Sequence, residues 1–375
     1  MLKTAIGSLA RRGYQVYTSR EVTFVSTGKD HQQYQMPVWG VMLMGMTFLV
    51  FFFALEMINY TFGHIIPTLL MIENPQEAIA FEPLPTNDTD GSLNKAPEVQ
   101  PTKPRPITSS FRMTIQLLQS KGGFRSRFRG FGMFFVYAFA TNVVATIVSS
   151  IPFVHRGLAT VIAMVLCAQL SLAWTLIVIS EPSTKSWRAR IPGLKTWKKV
   201  AGPTAIVAVT EQIAILIPLY FAMAMGLAEK DPRQMVDNKE TGAWIGKSIA
   251  TIVMALVIAF FIVIPANVSL TRVQASLIPE DEETIVPFDR TFNGKVVPEI
   301  VGGSGVLGLL DAWKTFNWDV RIGLIKAYVK VFFMQVGLIV VFGLVLLAQA
   351  FFIAGKDIYK IFPPRESRGS HASLI

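Results

Sequence analysis

Cysteine is almost missing from this chain. Cys167 is the only one in 375 residues, and it sits in the apolar run VIAMVLCAQLSLAW. A disulfide framework and a cysteine-based metal site are therefore excluded. Histidine is scarce as well: His31, His64, His155 and His371 are scattered, and no two stand at metal-ligand spacing, so no metal site is expected. Charge is low, with Asp, Glu, Lys and Arg at 16%, against roughly a quarter in a soluble domain. No nucleophile–base pair or metal constellation is visible, which points away from an enzyme and from a bound cofactor. No basic stretch has the form of a nucleic-acid module, so the net charge of +10 concerns membrane surfaces instead.

Apolar residues, by contrast, reach 51% and the mean hydropathy is +0.45. They fall into runs near 38–60, 130–152, 157–180, 202–227, 244–265 and 331–355. A crossing helix needs about 20 such residues, so the expected fold is an all-α, polytopic bundle of about six transmembrane helices. The first run is followed by TFGHIIPTLLMI, read as an interfacial turn. A seventh span there is the alternative. Around the runs we expect a basic amino-terminal segment (1–36), a Pro-rich flexible linker (73–106, after the first span at 37–72), a five-span membrane domain (107–360) and a disordered tail (361–375). Within the membrane domain, 268–305 forms an acidic and Gly-containing loop. The start, MLKTAIGSLARR, is compatible with a presequence and equally with an interfacial helix.

Three stretches have a basic, aromatic and amphipathic character. In 181–200, Trp187, Ile191, Leu194 and Trp197 recur at helical spacing, with Arg188, Arg190, Lys195, Lys198 and Lys199 between them. In SSFRMTIQLLQSKGGFRSRFRG, Phe124, Phe128 and Phe131 interleave with Arg125, Arg127 and Arg129. The third is VLGLLDAWKTFNWDVRIGLIKAYVK. Such pieces lie in a membrane–water boundary, so anionic lipid is the expected partner. Each precedes an apolar run, which suggests an internal repeat pairing Gly132 with Gly202 and Thr141-Asn142 with Thr210-Glu211. With six spans, the three long loops carry 21 Lys and Arg against 14 on the other side. That places them in the cytosol or its equivalent, so the Asn87 sequon should stay unmodified.

Polar residues inside apolar runs are functional candidates by default, because burying them in lipid is costly. Glu56 and Glu211 are the sharpest, with Asn142 and Gln335 beside them. Glu280-Asp281-Glu282-Glu283 reads as a solvated acidic loop, with docking on the basic stretches as the alternative. It lacks the spacing of a calcium loop. Gly303-Ser-Gly305-Val-Leu-Gly308 matches GxGxxG but has no βαβ context, and reads as a flexible lead into the third basic stretch.

Three segments, SSFRMTIQLLQSKGGFRSRFRG, WTLIVISEPSTKSWRARIP and SLTRVQASLIPEDEETIVPFDRTF, make the chain similar to an uncharacterised group of fungal multipass membrane proteins. Some members are labelled ubiquitin carrier or conjugating proteins. That label implies a thioester cysteine on a polar surface, which Cys167 in mid-run does not provide. The mitochondrial-carrier signature Pro-x-[Asp/Glu]-x-x-[Lys/Arg] is absent, since Pro287-Phe-Asp289-Arg-Thr-Phe292 fails at its last place. The expected function is a non-enzymatic, transporter-like or lipid-interacting bundle, in an endomembrane rather than a mitochondrion. A membrane scaffold whose charged loops recruit partners is the alternative.

Overall fold

The computed structural model describes residues 37–74, 106–183, 185, 188–227 and 238–355. For Ser109, Arg188, Asn238 and Lys239 it describes the backbone alone. The basic amino-terminal segment, most of the Pro-rich linker with Asn87, Trp187 and the tail lie outside the described residues. Of those described, 78% are helical and none belongs to a strand. The helices are α1 (Val38–Ile58), α2 (Ile66–Ile72), α3 (Phe111–Gly122), α4 (Phe131–Ser149), α5 (Arg156–Leu166) and α6 (Ala168–Ile179). They continue with α7 (Leu194–Ala224), α8 (Asn238–Ile258), α9 (Ile264–Ala275), α10 (Leu309–Lys314) and α11 (Trp318–Ala354). Five helical runs are long and apolar enough to cross a membrane, and α5 with α6, bent by 58° at Cys167, makes a sixth if the pair is one span.

The chain divides into two units. In the first, formed by residues 1–59 and 332–375, α1 and the later part of α11 pair antiparallel. Gly40 lies against Ile353, Gln349 donates to the Thr47 hydroxyl at 2.6 Å, Phe51 stacks on Phe342, and Gln335 donates to Asn59 at 3.3 Å. Most other side chains of this pair are apolar and point outward, as lipid-facing helices require.

The second unit, residues 60–331, holds the buried core. Two long helical runs share one device. A π-helical stretch, Asn59–Ile65 or Ala259–Val263, stands just ahead of Pro67 or Pro265. Proline has no N–H to give the carbonyl four residues back, and the wider π turn takes up that lost bond. The sequence suggested a span ending near Tyr60 and an interfacial turn after it, but the helix runs on to Ile72. Beyond each π stretch the character changes from outward-facing apolar to buried. Every residue of α2 is buried, as are Val268–Ala275 except Thr271.

These buried ends, Val273 among them, pack with α6, whose Leu172, Leu176 and Ile179 are enclosed, with Leu118 of α3 and Val200 of α7, and with Val286 and Leu307 from the long loops. Burying each such large apolar side chain contributes about 1.5–3 kcal/mol. The three long loops thus form one cap at the ends of the helices. A β-bridge joins Ser180 to Thr284, and the Ile285 amide donates to the Ile179 carbonyl at 2.9 Å. The Asn74 amide donates to the Pro287 carbonyl at 2.9 Å.

The basic stretches take three forms. The first is a separate helix, α3, then a break at Gly123 and a 3-10 turn, Phe124–Phe128. The second is a 3-10 turn at Arg188–Arg190, after which α7 begins at Leu194 and runs into the apolar span without interruption. The third splits at Thr315–Asn317 into α10 and the start of α11. The suggested repeat does not carry through in detail: α4 has 19 residues and α7 has 31, and Asn142 is exposed where Glu211 is half-buried.

Candidate functional site

The beginning of α4 sets one wall of a groove. Gly130 adopts a left-handed backbone (φ +73°) that lets the chain turn out of the cap against Trp174 and Ile177, where a side chain would crowd both. Gly132 follows, with open space where a Cβ would stand. Together with Met133, Val136 and Ile177 these residues line an apolar groove of about 510 Å³, and Lys185 and Arg190 stand on its rim. A second hollow of about 220 Å³ lies against the same two cations, between Ile177, Ile191, Leu277 and Glu282.

The cations are held in different ways. Arg190 donates through Nη2 to the Ser183 carbonyl (3.2 Å) and hydroxyl (2.5 Å), while its Nε is buried with no partner among the described residues. Lys185 pairs with Asp281 at 2.7 Å and Glu282 at 3.3 Å. Those hydrogen bonds raise Lys185 above the usual lysine range and, with the Lys185 charge, hold Asp281 below the usual carboxylate range. The acidic cluster is therefore tied down through Asp281 and Glu282, while Glu280, Asp281 and Glu283 stay exposed to solvent as its composition suggests. Its partner Lys185 was not among the basic residues singled out from the sequence, because it stands apart from the Arg188–Lys199 spacing.

The other basic candidates divide. Arg129 donates from Nε to the Ile177 carbonyl, locking α4 to the end of α6. Arg127 lies over the Phe124 ring at 5.0 Å, and Arg125 is exposed. Lys199 pairs with Glu299, and Lys195 adds to the positive field on that carboxylate. Lys198 is exposed, and the Arg188 side chain lies outside the described residues' side chains.

The intramembrane candidates do not form one site. Asn142 is exposed and bonds only within α4, to the Ala138 carbonyl at 2.8 Å. Gln335 meets Asn59 in the first unit, where Glu56, half-buried, makes no hydrogen bond among the described residues. Glu211 is half-buried on α7, also without a hydrogen bond there, and lies within electrostatic reach of Tyr137 on α4. Near Tyr137 are the buried hydroxyl of Thr141, which interacts with both Tyr137 and Cys167, and Cys167 itself at the α5–α6 bend.

One residue missed in the sequence is Arg272, 93% buried by its 7% exposure, beside a polar cavity of about 140 Å³ with Asp289, Asn293 and Asn317. A lone arginine inside the apolar-flanked SLTRVQA was the available signal. Among the described residues, no group of three or more His, Cys, Asp or Glu could hold a metal ion. Compared with protein-family models and with curated proteins, the chain matches none, so the site stands on its own geometry.

Proposed function

We propose that this chain is a non-enzymatic multipass membrane protein that binds anionic lipid. The observation carrying this reading is the groove between α4 and α6. Its walls are apolar, Gly132 keeps it open, and Arg190 and Lys185 stand at its rim. An acyl chain along Met133 and Val136 gains about 0.8 kcal/mol per buried methylene. A phosphate at the rim meets the positive charges of Arg190 and Lys185, and each basic residue near such a surface adds about 1 kcal/mol. Of the two functions legible in the sequence, a bundle that handles lipid or solute accords better with this geometry than a scaffold. Among the described residues, several loop charges a scaffold would offer to partners pair with one another instead, Lys121 with Glu181, Lys185 with Asp281 and Lys199 with Glu299.

Lipid retention on the purified full-length protein, read by native mass spectrometry after exchange into mixed phosphatidylcholine and phosphatidylserine, tests the reading. Arg190→Gln is expected to lose phosphatidylserine selectively. Gly132→Leu, whose Cβ would meet open space, is expected to lose both lipids from the groove. Unchanged retention in both variants, with both folded, overturns the proposal.

A further inference from the structure

The GxGxxG-like stretch was expected to be a flexible lead, yet residues 297–305 close into a fixed loop. The Gly305 amide donates to the Val297 carbonyl at 3.0 Å, and the Gly303 and Val301 amides both reach the Pro298 carbonyl at 3.1 Å. Gly302 and Gly305 take positive φ (+86° and +62°), and a Cβ on Gly303 would fall 2.1 Å from the Val297 carbonyl oxygen. Only glycine permits so tight a closure. The base is rooted: Val296, Val306 and Leu307 pack on the core, and the Leu307 amide donates to the Ser276 hydroxyl at 3.1 Å. The tip is bare, with Ile300 97% and Val301 76% exposed. A rigid loop that holds two β-branched apolar side chains away from its own core has been built to place them in something else.

Its position says what. Glu299, between Pro298 and Ile300, pairs with Lys199 and feels Lys195. Lys199 stands three residues before Gly202, where the apolar part of α7 begins, a rise of about 4.5 Å. The loop tip is thus tied to the depth at which α7 enters the bilayer. Lys195 acts on Glu299 from the same helix, Lys198 is exposed one residue before Lys199, and Leu194 is exposed at the helix start. Apolar tips flanked by lysines match a headgroup–acyl boundary containing anionic lipid. We infer that the 297–305 loop is a membrane wedge, inserting Ile300 and Val301 into the leaflet beneath the cap and fastening the cap to the bilayer through α7. This depends on α7 crossing the membrane, and not on the lipid groove.

The test uses the full-length chain with Cys167→Ala, a single Ile300→Cys or Val301→Cys, and an environment-sensitive fluorophore on that thiol, reconstituted into phosphatidylcholine–phosphatidylserine vesicles. Both side chains face outward, so their replacement removes no core packing. The expected result is blue-shifted emission that is largely lost when the vesicles carry nitroxide lipids labelled at the headgroup or shallow in the chain. It should be insensitive to aqueous iodide and weaker with Lys195→Gln and Lys198→Gln in phosphatidylserine-containing vesicles. Emission like that of the dye in water, quenched by iodide, overturns the inference. So does a blue shift that ignores nitroxide lipids and fades on protein dilution, which would assign the tip to a second copy.

Discussion

Arg272 donates from Nη1 to the main-chain carbonyl of Met71 at 3.0 Å, across 201 residues of sequence. Its Nη2 reaches the Thr315 hydroxyl at 3.0 Å, and the guanidinium faces the rings of Phe292 at 4.7 Å and Phe316 at 5.4 Å. Met71 lies in the last turn of α2, and Thr315 directly follows α10, where helix carbonyls run out of intrahelical donors. One guanidinium therefore closes two helix ends from different loops, and it does so without a carboxylate in salt-bridge range among the described residues.

Replacing Arg272 by Met should lower the melting temperature of the detergent-solubilised protein clearly, since each orphaned buried acceptor costs about 1–3 kcal/mol. Arg272→Lys should fall between, because a single ammonium cannot span both helix ends. An unchanged melting point in the Met variant would mean that Arg272 does not hold the two helix ends together.

The docking of the acidic loop should follow pH and salt. Asp281, held low by Lys185, contributes stability above the ordinary carboxylate value of about 3.9, and this is lost as pH falls through its lower folded value. Lys185, held high, contributes below about pH 10.4 and loses that as pH rises through its raised folded value. The pair is thus intact across neutral pH. Lys185→Glu at neutral pH should speed hydrogen exchange at the Ile285 amide, and high salt should move wild type part of the way. Equal exchange in wild type and variant would show that the backbone bonds alone hold the loop.

The Glu211 side chain makes no hydrogen bond among the described residues, and its replacement therefore breaks none there. Glu211→Leu should melt at or above wild type, because it removes the cost of desolvating a carboxyl group. Glu211→Gln keeps the shape and removes the titrating group. If the bundle moves protons or a coupled solute, this variant should abolish pH-dependent flux in proteoliposomes while melting like wild type. A marked loss of stability in the Leu variant would reassign Glu211 to a structural part.

The cap joins all three long loops, through Lys121 with Glu181, Ser180 with Thr284 and Lys199 with Glu299. They therefore lie on one face, the same grouping that the Lys and Arg counts favour. In a Cys167→Ala background, cysteines at the exposed positions Gln116, Glu280 and Leu310 should react with an impermeant thiol reagent from the same side of sealed vesicles. Met225, at the far end of α7, should react only from the other. Labelling of Glu280 and Gln116 from opposite sides would break the topology.

Much of the architecture was legible in composition alone. Long uncharged runs can satisfy their backbone in lipid only as helices, so the all-helical class and the approximate number of spans follow from sequence. The Gly122-Gly123 pair likewise stands where α3 ends, as a glycine pair after a helical pattern should. What needed the tertiary structure was each feature made by residues far apart in the chain. TFGHIIPTLLMI reads locally as a turn, and only the structure shows the helix continuing through a π stretch to Ile72. The acidic cluster reads as solvated and untied until Lys185 is brought to it, 96 residues away. Arg272 reads as a stray charge until two helix ends converge on it. The apolar groove depends on Gly132, Ile177 and Arg190 meeting across three segments, and the 297–305 loop on glycines whose positive φ no pattern announces. Local sequence determined which segments are helical and apolar, because that depends on neighbours within a turn or two. Which charges are paired, and which cavities stay open, was decided by packing between loops whose separation in sequence hides their contact.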